Sequence, residues 1–115
     1  MQYALLIYNP DDGTEQVQRT IDPDIAAVLA RPDVTGWIRL HAAGSATTVH
    51  HQDGRTLLTD GPFVDSKEFL GGLVIIEAGN LDEALAVAAE LAELRPARIV
   101  AIEVRPIRGE EPRGA

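Results

Sequence analysis

Apolar and polar positions along this chain alternate in short extended runs, separated by two segments of helical period. From Gln2 to Tyr8, Tyr3, Leu5 and Ile7 point to one side of a strand while Ala4, Leu6 and Tyr8 point to the other. Both faces are apolar. Leu73 to Ile76 and Ile99 to Ile102 are further β-branched runs bounded by breakers, and Trp37 opens a shorter one that runs through Leu40. Asn80-Leu81-Asp82-Glu83 has the form of a helix start, with Asn80 as N-cap, Glu83 three residues on and two acids in the first turn. Leu81, Ala84, Leu85, Ala88, Leu91 and Ala92 continue it as one apolar stripe, and Arg95-Pro96 ends it. A shorter helix is predicted from Asp22-Pro23, through Ile25, Val28 and Leu29, to a stop at Pro32; the pattern leaves open whether Thr14 to Thr20 joins it. Between Thr47 and Thr59, the Asp53-Gly54 pair demands a two-residue type I′ hairpin turn. The register follows from the turn: Gln52 opposite Arg55, His51 opposite Thr56, His50 opposite Leu57, Val49 opposite Leu58 and Thr47 opposite Asp60.

The order strand, helix, strand, hairpin, strand, helix, strand predicts an α+β protein with a ferredoxin-like antiparallel sheet and helices on one face. The apolar residues on the other face then need cover, which a second copy supplies most simply, so a homodimer is expected. The 115 residues (12.4 kDa) suffice for one core, a domain over residues 1–107 followed by a polar tail at 108–115. A net charge of −8 and a pI near 4.7 repel phosphate backbones and anionic lipid, arguing against direct nucleic-acid binding. Cysteine is absent, which removes disulfides and thiolate chemistry. The opening residues lack a basic n-region and their apolar run is too short for a membrane span, so a cytoplasmic protein is expected.

The histidines make a poor chelate. His50 and His51 are strand neighbours that point to opposite faces, and His41 has no partner at ligand spacing, so neither a metal nor another cofactor is expected. Candidate chemistry gathers instead in Asp60 to Gly72, which holds a strand-end carboxylate, a Gly-Pro reversal, two further acids and Lys67, the one lysine beside nine arginines. Projecting between sheet and helices, Asp60 would suit acid/base work, with Lys67 holding an anionic group. The competing reading makes Asp60 an Asx turn and Lys67–Glu68 a surface pair. Gly71-Gly72 has no phosphate-loop grammar and predicts a bulge or a close backbone approach. Phe63, Phe69 and Trp37 are expected as core anchors.

In order, Asp60-Gly61-Pro62-Phe63, Lys67-Glu68, Leu70-Gly71-Gly72, Leu81-Asp82-Glu83-Ala84 and Ile102 to Ile107, with an opening Tyr3 to Tyr8, resemble the DGPF branch of the YCII-related domain family. The resemblance covers nearly the whole chain. It implies a ferredoxin-like fold that pairs as a dimeric α/β barrel, in a superfamily that includes enzymes on small molecules and non-catalytic members. It also implies a site at the strand-end segment Asp60 to Phe63; Gly61, Pro62 and Phe63, together with the neighbouring Lys67 and Glu68, are the expected substrate contacts. Some relatives are encoded near extracytoplasmic-function sigma factors. The chain departs from the pattern in two places: no histidine lies between Asn9 and Gly36, where the YCII branch has one on its first helix, and Asp65 stands where Glu is common. His41 is the remaining candidate base. The reading is thus a binder of a small organic molecule, with lyase- or isomerase-like acid/base chemistry by Asp60. Its alternative is a non-catalytic module that meets a protein partner.

Overall fold

A computed structural model describes residues 1–11 and 21–109. Its elements are β1 (Gln2–Pro10), α1 (Pro23–Leu29), β2 (Val34–Arg39), a 3-10 turn (Ala43–Ser45), β3 (Thr47–Gln52), β4 (Arg55–Asp60), β5 (Glu68–Glu77), α2 (Leu81–Leu94) and β6 (Ala101–Pro106). Four strands form one sheet in the order β2-β5-β1-β6, antiparallel throughout, while among the described residues β3 and β4 pair only with each other. This is the ferredoxin-like α+β arrangement with a hairpin inserted between its second and third sheet strands. Thr14 to Thr20 and the tail beyond residue 109 lie outside the described residues.

The alternation read in β1 decides which face is covered. Tyr3 and Leu5 are buried with Val74 and Ile76 of β5, and Val28, Ala84, Ala88 and Leu91 from the two helices complete the core. Each fully buried leucine or isoleucine contributes about 1.5–3 kcal/mol. Helix α2 starts as expected: Glu83 N donates to Asn80 Oδ1 (2.9 Å), and the Glu83 carboxylate reaches back to Gly79 N (2.7 Å). Its buried stripe is different. Leu81 and Leu85 are 47% and 45% exposed, while Val87 and Leu94 pack against the core. At 100° per residue, the helix is rolled by roughly 60° from the expected stripe. Small side chains at 84 and 88 let it lie close to the sheet, so the alanines face inward and the bulkier Leu81 and Leu85 face out.

Strand ends also differ from the sequence pattern. The turn after α2, in which Arg98 N and Ile99 N both donate to Arg95 O, takes up Ile99, so β6 begins at Ala101. Strand β2 runs Val34–Arg39, earlier than the expected Trp37 to Leu40. Strand β5 begins at Glu68 because the Gly pair lies inside it as a bulge: Ile7 opposes Gly72 and Tyr8 opposes Leu70, leaving Gly71 unpaired. The hairpin has the expected register throughout, with Asp53 and Gly54 at φ of 52° and 75° as a type I′ turn requires.

Candidate functional site

Between the sheet and the helices lies a cavity of about 790 Å³. Ile7, Trp37 and Val74 form its floor on the helix-facing side of the sheet, and Ile25, Leu29 and Leu91 form its helical wall. The polar side chains in its lining are Asn9, Asp11, Asp22, Arg39, His41, Arg95 and Arg98. An apolar body with polar groups added from several elements is the usual make-up of a small-molecule pocket, and the volume falls within the usual range of roughly 300–1,000 Å³.

Local geometry explains why these polar groups are held there. At the β5 bulge, the carboxamide of Asn9 occupies the space that a side chain on Gly71 would fill, and Asn9 Nδ2 donates to Arg98 O at 2.6 Å. Sheet and post-helix turn are thereby joined. Gly72, next in line, faces Ile38 O so closely that a Cβ there would lie 3.1 Å from it, and Leu40 N donates to Gly71 O at 2.9 Å. The chain after β2 therefore runs along the bulge, which carries His41 to the cavity lining.

Arg95 closes another side. Its Nε donates to Asp22 Oδ2 (2.7 Å), and its Nη1 and Nη2 hold both oxygens of Asp24 (2.9 and 2.8 Å). One guanidinium at the end of α2 thus grips the start of α1, and Asp22, whose side chain makes no helix cap, is used for this pairing. The hydrogen bonds from Arg95 hold the Asp24 carboxyl below its ordinary value, and those to Asp24 and Asp22 push Arg95 upward. Farther along the same helix pair, Arg31 meets Glu90 through a bidentate contact that lowers Glu90 and raises Arg31.

Of the candidate catalytic and substrate-binding residues named from the sequence, His41 is the one that lines this cavity. Asp60 was expected between sheet and helices; it stands exposed at the end of β4 instead, in a hairpin that forms a separate two-stranded sheet, and it is not among the residues lining the cavity. Gly61 makes the corner that follows, at φ 94°, with its N–H donating to Ala46 O (2.7 Å) and its carbonyl accepting from Thr48 Oγ1 (2.8 Å). Past Pro62, Phe63 sets its ring edge against His50, with centroids 5.7 Å apart, but is 77% exposed and is no core anchor. Lys67 lies on the other side of this connection, where its carbonyl accepts from Asp11 N at 2.7 Å, and the Glu68 carboxylate accepts from Ser66 Oγ at 3.1 Å. Phe69 is half-buried and lines the cavity. His50 and His51 hold to opposite faces of the hairpin, against Thr59 and Thr56.

Asn9, Arg39 and Arg98 carried no mark in the sequence, and Arg95 was marked there as a helix end alone. They come from β1, β2 and the turn after α2, and no local spacing relates them. A faint signal existed in Arg95-Pro96, where a charged helix end followed two acids at the start of the preceding helix.

Fold and cavity together describe a ferredoxin-like α+β protein with a pocket roofed by its helices. The family model for the YCII-related domain matches residues 1–108, and the chain belongs to that family. It is 35% identical over 115 residues to an uncharacterised protein of Rhizobium meliloti (strain 1021), a match that covers 93% of this chain and 92% of the relative.

Proposed function

We propose that this YCII-related protein binds a compact small organic molecule in the cavity between sheet and helices. The observation that carries the reading is the cavity itself: about 790 Å³, apolar on floor and wall, with Asn9, His41 and arginines in its lining. Apolar burial favours a flat or aromatic body, and the polar lining favours a ligand with at least one polar end. Acid/base chemistry of a lyase or isomerase kind would draw on the titratable groups of the lining, His41 and Asp11, with Asp22 held by Arg95. Asp60 would have to act from outside this lining.

Trp37, the one tryptophan in the chain, is part of the floor and reports on the cavity directly. Titration with a library of small aromatic acids, amines and phenols should quench or shift its fluorescence at saturable concentrations and raise the melting temperature. The response should persist in Asp60→Asn and vanish in Leu29→Trp, which fills the space. A library that leaves Trp37 unchanged, or a response that survives Leu29→Trp, sinks the reading.

A second reading, a regulatory module with a protein partner such as a sigma factor, draws on one observation: Phe63 and Val64 of the DGPF segment are exposed. Stoichiometric co-purification of such a partner, lost in Phe63→Ala, would favour it over ligand binding.

A further inference from the structure

The ion pair between Asp22 and Arg95 belongs to the cavity: both residues are in its lining. Each lies one helical turn from an apolar residue of the wall. Arg95 follows Leu91 by four positions at the end of α2, and Asp22 precedes Ile25 by three at the start of α1. Residues three and four apart on a helix have Cβ atoms about 5–6 Å from each other. A flat body resting on Leu91 and Ile25 therefore brings a substituent at its edge to the Arg95 guanidinium.

Arg95 is held by contacts of unequal strength. Asp24, which is not in the cavity lining, takes Nη1 and Nη2 in a bidentate pair and also accepts from Ile25 N at 2.9 Å. Among the described residues, Asp22 meets the guanidinium at a single point, Oδ2 on Nε at 2.7 Å. The two side chains are 31% and 39% exposed, so this one bond is weak enough to exchange. Asp24 keeps the guanidinium in place when Asp22 leaves. Asp22 also has another partner within reach: it occupies the N-cap position of α1, yet its side chain caps nothing, and once released it can turn to the first-turn N–H groups.

The charge of the lining agrees. Among the described residues it holds three arginines, Arg39, Arg95 and Arg98, against two aspartates, Asp11 and Asp22, a positive balance in a chain of net charge −8. Lys67, the cation that the sequence offered for an anionic group, is not in the lining.

We infer that Asp22 occupies the place of a ligand carboxylate: the cavity takes a flat, apolar monocarboxylic acid whose carboxylate replaces Asp22 on Arg95 Nε while its body lies against Leu91 and Ile25. The inference rests on the cavity being a ligand pocket, and it adds the charge of the ligand and the residue that anchors it. One negative charge suits the exchange, because one carboxylate replaces another and Asp24 on the same guanidinium repels a group of higher charge.

Calorimetric titration of the full chain at neutral pH tests it, with benzoate, cinnamate and 2-naphthoate, each beside the amide and the amine of the same body. At least one acid should bind about tenfold tighter than its amide, as a charge-assisted bond in place of a neutral one requires, and the amines should bind most weakly. Asp22→Asn, which removes the resident charge and leaves Asp24 on Arg95, should tighten that acid several-fold and leave its amide unchanged. Arg95→Met should abolish the preference for the acid, and inorganic phosphate should not compete with it. Equal affinity for acid and amide, a preference for the amine, competition by phosphate, or an Asp22→Asn that does not tighten the acid each overturns the inference. Should Arg95→Met misfold, Asp22→Asn decides, because a variant that only loosens the helices shifts acid and amide together. Failure of every compound in the series to bind overturns it as well. A neutral or cationic ligand found by the Trp37 titration then leaves the pocket reading standing, and a silent Trp37 takes both down.

Discussion

Asn9 holds the position that a side chain on Gly71 would take. The bulge at Gly71, the bond from Asn9 to Arg98 O and the path of the chain past Leu40 are therefore one structure. An added methyl at 71 must push the Asn9 carboxamide away and break its hydrogen bond, a loss of about 1 kcal/mol plus the cost of the displaced contact. Gly71→Ala should destabilise by about 1–2 kcal/mol and Asn9→Ala by about 1 kcal/mol. In the double variant there is no carboxamide to collide with, so the two costs should sum to more than the combined effect. Urea denaturation of the four proteins closes the cycle, and strict additivity would show that the two residues are not coupled.

Gly61 is the one residue of the Asp60 to Phe63 run that its backbone demands to be glycine, because φ of 94° is a conformation that side-chain-bearing residues avoid. Gly61→Ala should cost about 1–2 kcal/mol, whereas Gly36→Ala, which meets open space at ordinary φ, should change stability by under about 0.5 kcal/mol. Asp60→Asn should also be close to neutral, within about 0.5 kcal/mol, since the carboxylate is exposed. Denaturant midpoints for the three separate a glycine required by the corner from a carboxylate that the corner does not need. A large loss in Asp60→Asn would contradict its placement at the surface.

What was legible in the chain was what neighbours in sequence determine. The Asp53-Gly54 turn sets the hairpin register because the turn geometry alone propagates it, and Asn80 with Glu83 marks the start of α2 because a cap involves residues three apart. The Gly pair was readable as a bulge for the same reason. The site was not legible, because Asn9, Arg39, His41 and Arg95 meet only after the sheet has formed and the helices have docked. Asp60 was misplaced by one non-local fact: whether β3 and β4 join the main sheet depends on the partner strand each edge finds, which the alternation within a hairpin does not encode. The roll of α2 is similar. Leucines mark a stripe by hydrophobicity, but the sheet selects the side whose small residues allow close approach.

That roll makes its own prediction. Leu91 is 1% exposed and Leu85 is 45% exposed on the same helix, so truncations of identical chemistry should differ sharply. Leu91→Ala removes buried methyl groups and leaves a cavity, for about 2–5 kcal/mol. Leu85→Ala should cost under about 1 kcal/mol, with part of the loss returned by the higher helix propensity of alanine. Equal costs in chemical denaturation would mean that the helix sits on the stripe its leucines suggest.

The two arginine contacts between α1 and α2 give stability a definite dependence on acid. Asp24 and Glu90 both have folded-state values below the ordinary 3.8 and 4.5, through hydrogen bonds from Arg95 and Arg31 respectively. A carboxyl depressed by folding contributes stability that is fully present above its unfolded value, because there both states are ionised and only the folded one has the partner. As pH falls through 4.5 and then 3.8, the unfolded chain takes up protons first, and the contribution is lost on the way down to the folded values. The effect is modest, since these side chains are substantially exposed and salt screens them. Melting temperature measured from pH 6 to 3 at low ionic strength should therefore fall less steeply in Asp24→Asn and Glu90→Gln than in wild type, with the lines converging at the acid end. Parallel lines would mean that neither pair holds the helices together in solution.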